Sequence, residues 1–292
     1  MSDLQSIAKR IGINESYLSL LSKNHNKCYH SYYLKKKPPA RRVIDAPNSE
    51  LKAIQRWILR NVLENQPVNP CVHGFTAKRG IKTNAKRHLG KRFIMCLDIK
   101  DFFPSIKKDR IFPIFCHVFD NGKVADALSN LCTYNERLPQ GAVTSPALSN
   151  IVFRKADDEI SDICSKKRVN YTRYADDLTF STNNFTLLKD HIKPETEKIL
   201  RNDGFKLNKK KTRFLTGRGR MLVTGLLLNS GKLTVGRWRK REIRAALFNY
   251  VVKGDKAVNV NRLVGTLAFI RDIEPDFYER FLRYSSGLRK DD

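Results

Sequence analysis

Apolar side chains recur along this chain in two rhythms, and the points where the rhythm changes mark its elements. Leu4, Ile7, Ala8 and Ile11, then Leu18, Leu20 and Leu21, keep helical spacing and predict one or two short amphipathic helices, with Asn14 or Ser16 placed to cap the second. Residues 35–47, KKKPPARRVIDAP, break that spacing: three lysines and a Pro-Pro turn precede the β-branched pair Val43-Ile44, which predicts a basic β-hairpin. Leu51, Ile54, Trp57, Ile58 and Val62 restore a helix over 49–63, with a capping signal at Asn48 or Ser49. FIMCLDI, residues 93–99, is an almost unbroken apolar run, the pattern of a strand covered on both faces. A second strand is predicted over 172–181, TRYADDLTFS, with helical patterns at 107–131 and 145–165 between the two. A helix over 187–203, the loop GFKLNKKKT, a strand pair over 214–229 and basic amphipathic helices from Val235 complete the chain. No internal repeat or low-complexity linker divides it.

Charge changes this picture. The 292 residues include 56 Lys and Arg against 29 Asp and Glu, a formal charge of +27. Such a molecule repels itself until counter-charge arrives, so a phosphate polyanion or an anionic surface is the expected partner. At 41% hydrophobic residues there is material for a packed core, and the charge belongs to a folded body and not to a disordered tail. No run approaches the roughly 18 to 20 apolar residues of a membrane span, and the opening MSDLQSIAKRIGIN lacks a signal-peptide core. Cys28, Cys71, Cys96, Cys116, Cys132 and Cys164 form no C-x-x-C pair, which disfavours a disulfide framework or zinc module and predicts a reduced, cytoplasmic protein without a membrane partner.

The scarce acids stand in unexpected places. Asp98 follows five apolar residues, and Asp176-Asp177 interrupt a second apolar run. A carboxylate on a buried strand is costly unless it is paired, protonated or bound to a cation, and three brought together repel one another. A divalent metal resolves both problems. Oxygen ligands without neighbouring His or Cys suit Mg²⁺, with Mn²⁺ as a substitute. Two such ions can activate an attacking hydroxyl and stabilise the leaving oxygen of a phosphoryl transfer. Acids that hold metals, among lysines and arginines that hold nucleic acid and triphosphate, fit nucleotidyl transfer. The plainer alternative is that Asp98 caps a turn and Asp176-Asp177 open a hairpin.

YTRYADDLTFS, with LDIKDFFPSI (97–106) upstream and LPQGAVTSPALSN (138–150) between, resembles the palm of bacterial reverse transcriptases in order and spacing. Asn84-Ala85-Lys86-Arg87-His88 matches the N-A-x-x-H element and Val223-Thr224-Gly225 the V-T-G triplet of the retron enzymes, so from about residue 30 onward the chain resembles that branch. The resemblance implies an α+β right-hand polymerase. Its parts would be an N-terminal helical extension (1–34), fingers (35–92 with part of 107–145), a palm of antiparallel sheet flanked by helices (93–232) and a short α-helical thumb (233–292).

Carried over position by position, the resemblance makes Asp98 and Asp176 the bridging ligands of two Mg²⁺ ions, with Asp177 completing the triad and the carbonyl of Ile99 a further ligand. Backbone N–H groups at Asp101 and Phe102 would touch the dNTP triphosphate, and Phe103 would lie under the deoxyribose and exclude a 2′-OH. Gln140 would lie against the nucleotide, Arg42 (or its neighbour Arg41) would bind the triphosphate with help from one of Lys35, Lys36 or Lys37, and Lys211 would stand near the departing pyrophosphate. Asn84, Ala85 and His88 would recognise or position structured RNA, a helix cap with a satisfied histidine being the alternative. Val223, Thr224 and Gly225 would meet an RNA stem-loop unless they form only a bulged strand. Arg237, Trp238 and Arg241, in a basic stretch with interleaved aromatics, would grip template and product, with a membrane-surface helix as the rival.

The implied activity is RNA-directed DNA synthesis on a cognate structured non-coding RNA that is both template and primer source. The family pattern adds priming from a guanosine 2′-OH, a branched RNA–DNA product, an anti-phage role with a separate effector protein, and template removal by host RNase H. An intron-derived or diversity-generating reverse transcriptase is one alternative, although intron enzymes usually carry maturase or endonuclease extensions. A catalytically silent RNA-binding protein is the other, and the retained Asp98, Asp176, Asp177, Phe103 and Gln140 count against it.

Overall fold

Side-chain caps open the first two helices of the computed structural model, which describes residues 3–35, 41–217, 219–229 and 231–288. Asp3 accepts the Ser6 N–H ahead of α1 (Leu4–Ile11), and Asn14 accepts the Ser16 N–H ahead of α2 (Glu15–Lys23). Ile7, Ala8, Leu18 and Leu21 face the main core. The basic hairpin forms, but it begins before residue 35. β1 (Tyr29–Lys35) pairs antiparallel with β2 (Arg41–Pro47), Tyr29 opposite Pro47 and Lys35 opposite Arg41. The tyrosine-rich segment YHSYYL favours a strand, so part of the expected helical extension is sheet. Lys36 and Lys37, and the side chains of Lys35 and Arg41, lie outside the described residues. Asn48 then accepts the Leu51 N–H and starts α3 (Ser49–Ile58), which widens into a π turn over Leu59–Leu63. After α4 (Ile81–Lys86) the chain enters β3 (Phe93–Asp98).

Both faces of β3 are covered. Met95 and Leu97 point into the main core, while Ile94 and Cys96 point into a second one, as the period of two requires. The strand lies inside a four-stranded antiparallel sheet of order β4-β5-β3-β6, formed with β4 (Asn170–Tyr174), β5 (Asp177–Thr182) and β6 (Arg213–Thr216). The short α5 (Phe102–Ser105) follows β3. The helix expected over 107–131 is two, α6 (Lys108–Phe119) and α7 (Gly122–Cys132), because Asp120 adopts φ 47° and Asn121 caps anew. Likewise 145–165 divides into α8 (Ser145–Val152) and α9 (Arg154–Lys166).

The single strand predicted over 172–181 is a hairpin instead. β4 and β5 are joined by Ala175-Asp176, with Ala175 at φ 54°. In one straight strand adjacent aspartates would point to opposite faces. The turn takes Asp176 out of the pleat and leaves Asp177 directly opposite Asp98. A π turn over Leu187–Ile192 runs into α10 (Lys193–Asn202), as the pattern over 187–203 predicts.

The strand pair expected over 214–229 is divided between sheets. β6 extends the central sheet, whereas β7 (Leu222–Val223), β8 (Leu226–Asn229) and β9 (Lys232–Thr234) form a separate one. Val223, Leu226 and Leu228 join the second core with residues of α11 (Arg237–Val251), α12 (Val260–Ile273) and α13 (Pro275–Gly287). Among the described residues no helix is long and apolar enough to cross a membrane.

Candidate active site

Backbone bonds bring the three aspartates together. The Ile99 N–H donates to the Asp176 carbonyl (3.0 Å) and the Asn208 N–H to the Asp98 carbonyl (2.8 Å), which ties the end of β3 to the turn and to the loop before β6. Asp98 is buried, and its Oδ2 accepts from Lys211 Nζ at 2.6 Å. Burial, then the Asp98 charge, raises the pKa of Asp176, against Lys211 and Arg42. Asp177 is pushed up to about 6 by burial, then by Asp176 and Asp98, with Lys211 and Arg213 opposing. Partial burial works against the Lys211 ammonium, but the bond to Asp98 and the three carboxylates outweigh it and raise its pKa.

A cavity of about 630 Å³ opens on this cluster. Arg42, Asp45, Phe75, Asp98, Ile99, Asp101, Phe103, Gln140, Asp176 and Lys211 line it, so most of the expected nucleotide-site residues converge. Phe102 also reaches its edge, but the ring packs in the core against Phe153 and Phe205. Gln140 is positioned by the β1–β2 hairpin: its carbonyl accepts the Asp45 N–H at 3.0 Å. Gly141 permits this approach, since a Cβ there would stand 2.6 Å from the Asp45 carbonyl oxygen and φ is +147°.

Among the described residues no group of three or more His, Cys, Asp or Glu is arranged to hold a metal as it stands. Asp98 is engaged by Lys211 instead. The donor chemistry nevertheless fits a divalent cation: three hard oxygen carboxylates share one strand end and turn, two of them with pKa values raised by burial and mutual repulsion.

A network behind the turn was not expected from the sequence. Arg173, fully buried in β4, pairs with Asp157 on α9 through Nη2 (2.6 Å) and Nε (3.0 Å). Its Nη1 donates to Asn150 Oδ1 and to the Ala175 carbonyl, both at 3.1 Å, so the guanidinium holds the Ala175-Asp176 turn directly. The signal was available, because an arginine inside an apolar run is as anomalous as an aspartate there.

The elements that mark the retron branch behave differently from expectation. Asn84, Ala85 and His88 are fully buried, and direct contact with RNA is not open to them in this conformation. His88 bridges the catalytic hairpin, with Nε2 at 2.7 Å from Thr172 Oγ1 on β4 and Nδ1 at 2.8 Å from Ser181 Oγ on β5. Burial, followed by His73 and Arg87, lowers its pKa to about 3, so it stays neutral. The satisfied-histidine alternative accounts for this residue. Val223 is buried, while Thr224 and Gly225, at φ 45° and 82°, form the turn between β7 and β8. Thr224 Oγ1 donates to the Ile81 carbonyl, which ties the β7–β8 turn to the first residue of α4, the helix that carries Asn84 and Ala85. Arg237, Trp238 and Arg241 are all exposed at the start of α11, Trp238 at 70%.

Carboxylates at the end of a central antiparallel strand and on the adjoining hairpin turn, faced by an arginine from a separate basic hairpin, are the arrangement of a right-hand nucleic-acid polymerase. Residues 34–246 match the family described as reverse transcriptase (RNA-dependent DNA polymerase), and the chain belongs to it. It is similar to the Retron Ec86 reverse transcriptase of Escherichia coli, 34% identical over 99% of this chain and 90% of that protein. The Retron Mx65 reverse transcriptase of Myxococcus xanthus is 32% identical over 94% of this chain and 68% of that one. These relatives support a retron-type enzyme with RNA-directed DNA polymerase activity. Telomerase from Candida albicans, solved in complex with a fragment of telomeric RNA, shares the fold at a TM-score of 0.52 and 13% identity, over 94% of this chain and 63% of that chain.

Proposed function

We propose that this reverse transcriptase copies part of a cognate structured non-coding RNA, its template and primer, into single-stranded DNA that stays linked to the RNA. Priming from a 2′-OH, a separate effector protein, a role in anti-phage defence and template removal by host RNase H complete the reading. The observation that carries its chemistry is the convergence of Asp98, Asp176, Arg42, Phe103, Gln140 and Lys211 on one cavity, with Asp177 beside it. Asp98, Asp176, Asp177 and the Ile99 carbonyl would hold two Mg²⁺ ions, replaceable by Mn²⁺, which when bound supply charge neutralisation for nucleotidyl transfer. Arg42 orients the triphosphate, with backbone N–H groups at Asp101 and Phe102. Gln140 lies against the nucleotide and Phe103 under its sugar. Lys211, released from Asp98, stands by the departing pyrophosphate. Arg237, Trp238 and Arg241 offer phosphate contacts and a stacking face to the RNA, and the exposed side of the Thr224-Gly225 turn offers a second contact.

The decisive experiment is to purify the protein with its flanking locus, extract the bound nucleic acid, and treat it with RNase and debranching enzyme before sequencing. A short single-stranded DNA joined to structured RNA through a debranchable bond is the expected result. RNA without attached DNA, from protein that still extends an annealed primer, would remove self-priming from the reading.

Two further outcomes are expected. Phe103→Val should raise use of rNTPs relative to dNTPs by roughly 10- to 200-fold, as one pocket group decides, measured in competition assays; unchanged discrimination would return the ring to ordinary packing. In metal-free protein Asp177 holds its proton up to about pH 6, where an unfolded Asp would already be ionised. Its contribution to stability should therefore fall as pH rises from about 4 to about 6, and divalent metal, which binds the ionised form, should reverse that slope. Melting curves at pH 4.5 and 7, with and without Mg²⁺, read both signs.

A further inference from the structure

One aromatic ring at the nucleotide cavity has no task in the reading above. Phe75 lies in the loop before α4, and that loop is pinned to the catalytic hairpin. The His73 N–H donates to the Arg173 carbonyl (2.8 Å), and Asn150 Nδ2 donates to the Gly74 carbonyl (3.0 Å). A Cβ on Gly74 would stand 2.6 Å from the Ala175 nitrogen, so the loop backbone lies directly on the turn that carries Asp176. Phe75 follows at φ 59°, a left-handed conformation that is unfavourable for a bulky side chain. Its ring is nevertheless 49% exposed. Packing explains neither the strain nor the exposure, and strain held in place by surrounding bonds is a mark of functional sites.

The ring stands between two spaces. Its centroid is 6.3 Å from that of Phe103 and 6.3 Å from that of Tyr174, both at the catalytic cluster. It lines the nucleotide cavity on one side and, on the other, a cavity of about 710 Å³ between the π turn after α3 and the start of α8. Charged groups that suit a triphosphate, Arg42 and Lys211, belong to the first cavity alone, and the second is lined mainly by apolar and amide side chains such as Leu63, Val143, Gln66 and Asn150, with the carboxylate of Glu64. A nucleotide with its sugar on Phe103 and its phosphates at Arg42 extends its base pair to the adjoining ring.

We propose that Phe75 is a template-positioning residue whose ring stacks on the template base paired with the incoming dNTP. The proposal rests on the assignment of the first cavity to the dNTP. An aromatic face accepts any base, as copying of varied template sequence requires, and loss of one such stack corresponds to a change of roughly tenfold.

The test is single-turnover dNTP incorporation on a primed RNA carrying either a normal nucleotide or an abasic ribose at the templating position. Phe75→Asn suits it, because Asn accepts the left-handed backbone, and Phe75→Tyr keeps the ring. Phe75→Asn should lose about tenfold in incorporation efficiency on the normal template and less than twofold on the abasic one, with melting temperature unchanged, while Phe75→Tyr stays within twofold of the parent on both. No loss on the normal template would overturn the proposal, as would an equal loss on both templates or a loss accompanied by a lowered melting temperature. The cavity assignment fails differently, through incorporation that persists when Asp176 and Asp177 are replaced.

Discussion

Replacing Asp176 and Asp177 together by Asn is expected to reduce dNTP incorporation by at least about a thousandfold while RNA affinity stays within a fewfold of the parent. Metal-dependent charge stabilisation is worth several kcal/mol in nucleotidyl transfer, and each 1.36 kcal/mol is a factor of ten in rate. Asn keeps the size of the side chains but removes the charges that hold a cation. Arg237, Trp238 and Arg241, proposed above to contact RNA, lie on α11, separate from the hairpin turn, so binding should survive. The double variant should also be no less stable in the absence of metal. Burial and mutual repulsion already push Asp177 up to about 6, and neutral amides relieve that cost. Single-turnover incorporation, filter binding and melting curves give the three readouts. Incorporation at the parental rate would end the assignment of these acids to catalysis.

Asp157→Ala is expected to have the largest effect on stability, a loss of about 3–5 kcal/mol. Both partners of the Arg173–Asp157 pair are fully buried, and Asp157 also accepts from the Tyr171 hydroxyl at 2.8 Å. Removing the carboxylate strands a guanidinium in the core and leaves a buried hydroxyl without its acceptor. Against a total stability of about 5–15 kcal/mol for a folded domain, this should shift the denaturant midpoint sharply. The paired change Asp157→Leu with Arg173→Met should recover much of that loss, since a buried ion pair is often replaceable by apolar side chains. It should not recover full activity, because the Arg173 bond to the Ala175 carbonyl is gone and the Ala175-Asp176 turn loses a fixed support. Recovery of both properties would make Arg173 a stability device alone.

The retron-marking motifs show how a sequence match can identify a branch while leaving the physical role of its residues open. N-A-x-x-H and V-T-G are spelled out in the chain, and family relatives support the branch they indicate. Yet Asn84, Ala85 and His88 are core residues: His88 bridges β4 and β5, and the Thr224 hydroxyl is tied to Ile81 on the helix that carries Asn84 and Ala85. A motif reports which residues stand at fixed spacing. It does not report which side of a sheet they face, and His88 finds its partners on strands more than eighty positions later.

The local chemistry of this chain was determined by sequence alone. A basic excess points to a polyanion, β3 reads as a strand covered on both faces, and aspartates placed in apolar runs point to a cation site, because burying an uncompensated charge is costly whatever the fold. Asn14 and Asn48 were among the named caps because a helix start needs an acceptor within three residues. Tertiary structure decided what depends on distant segments meeting. The pairing of Asp98 with Asp177, the Lys211 bond to Asp98 and the Gly74 and Gly141 backbone approaches all join positions far apart in the chain. Periodicity carries information over one or two turns of helix or strand, whereas an active site is assembled by contacts that only the packed chain brings within a few ångströms.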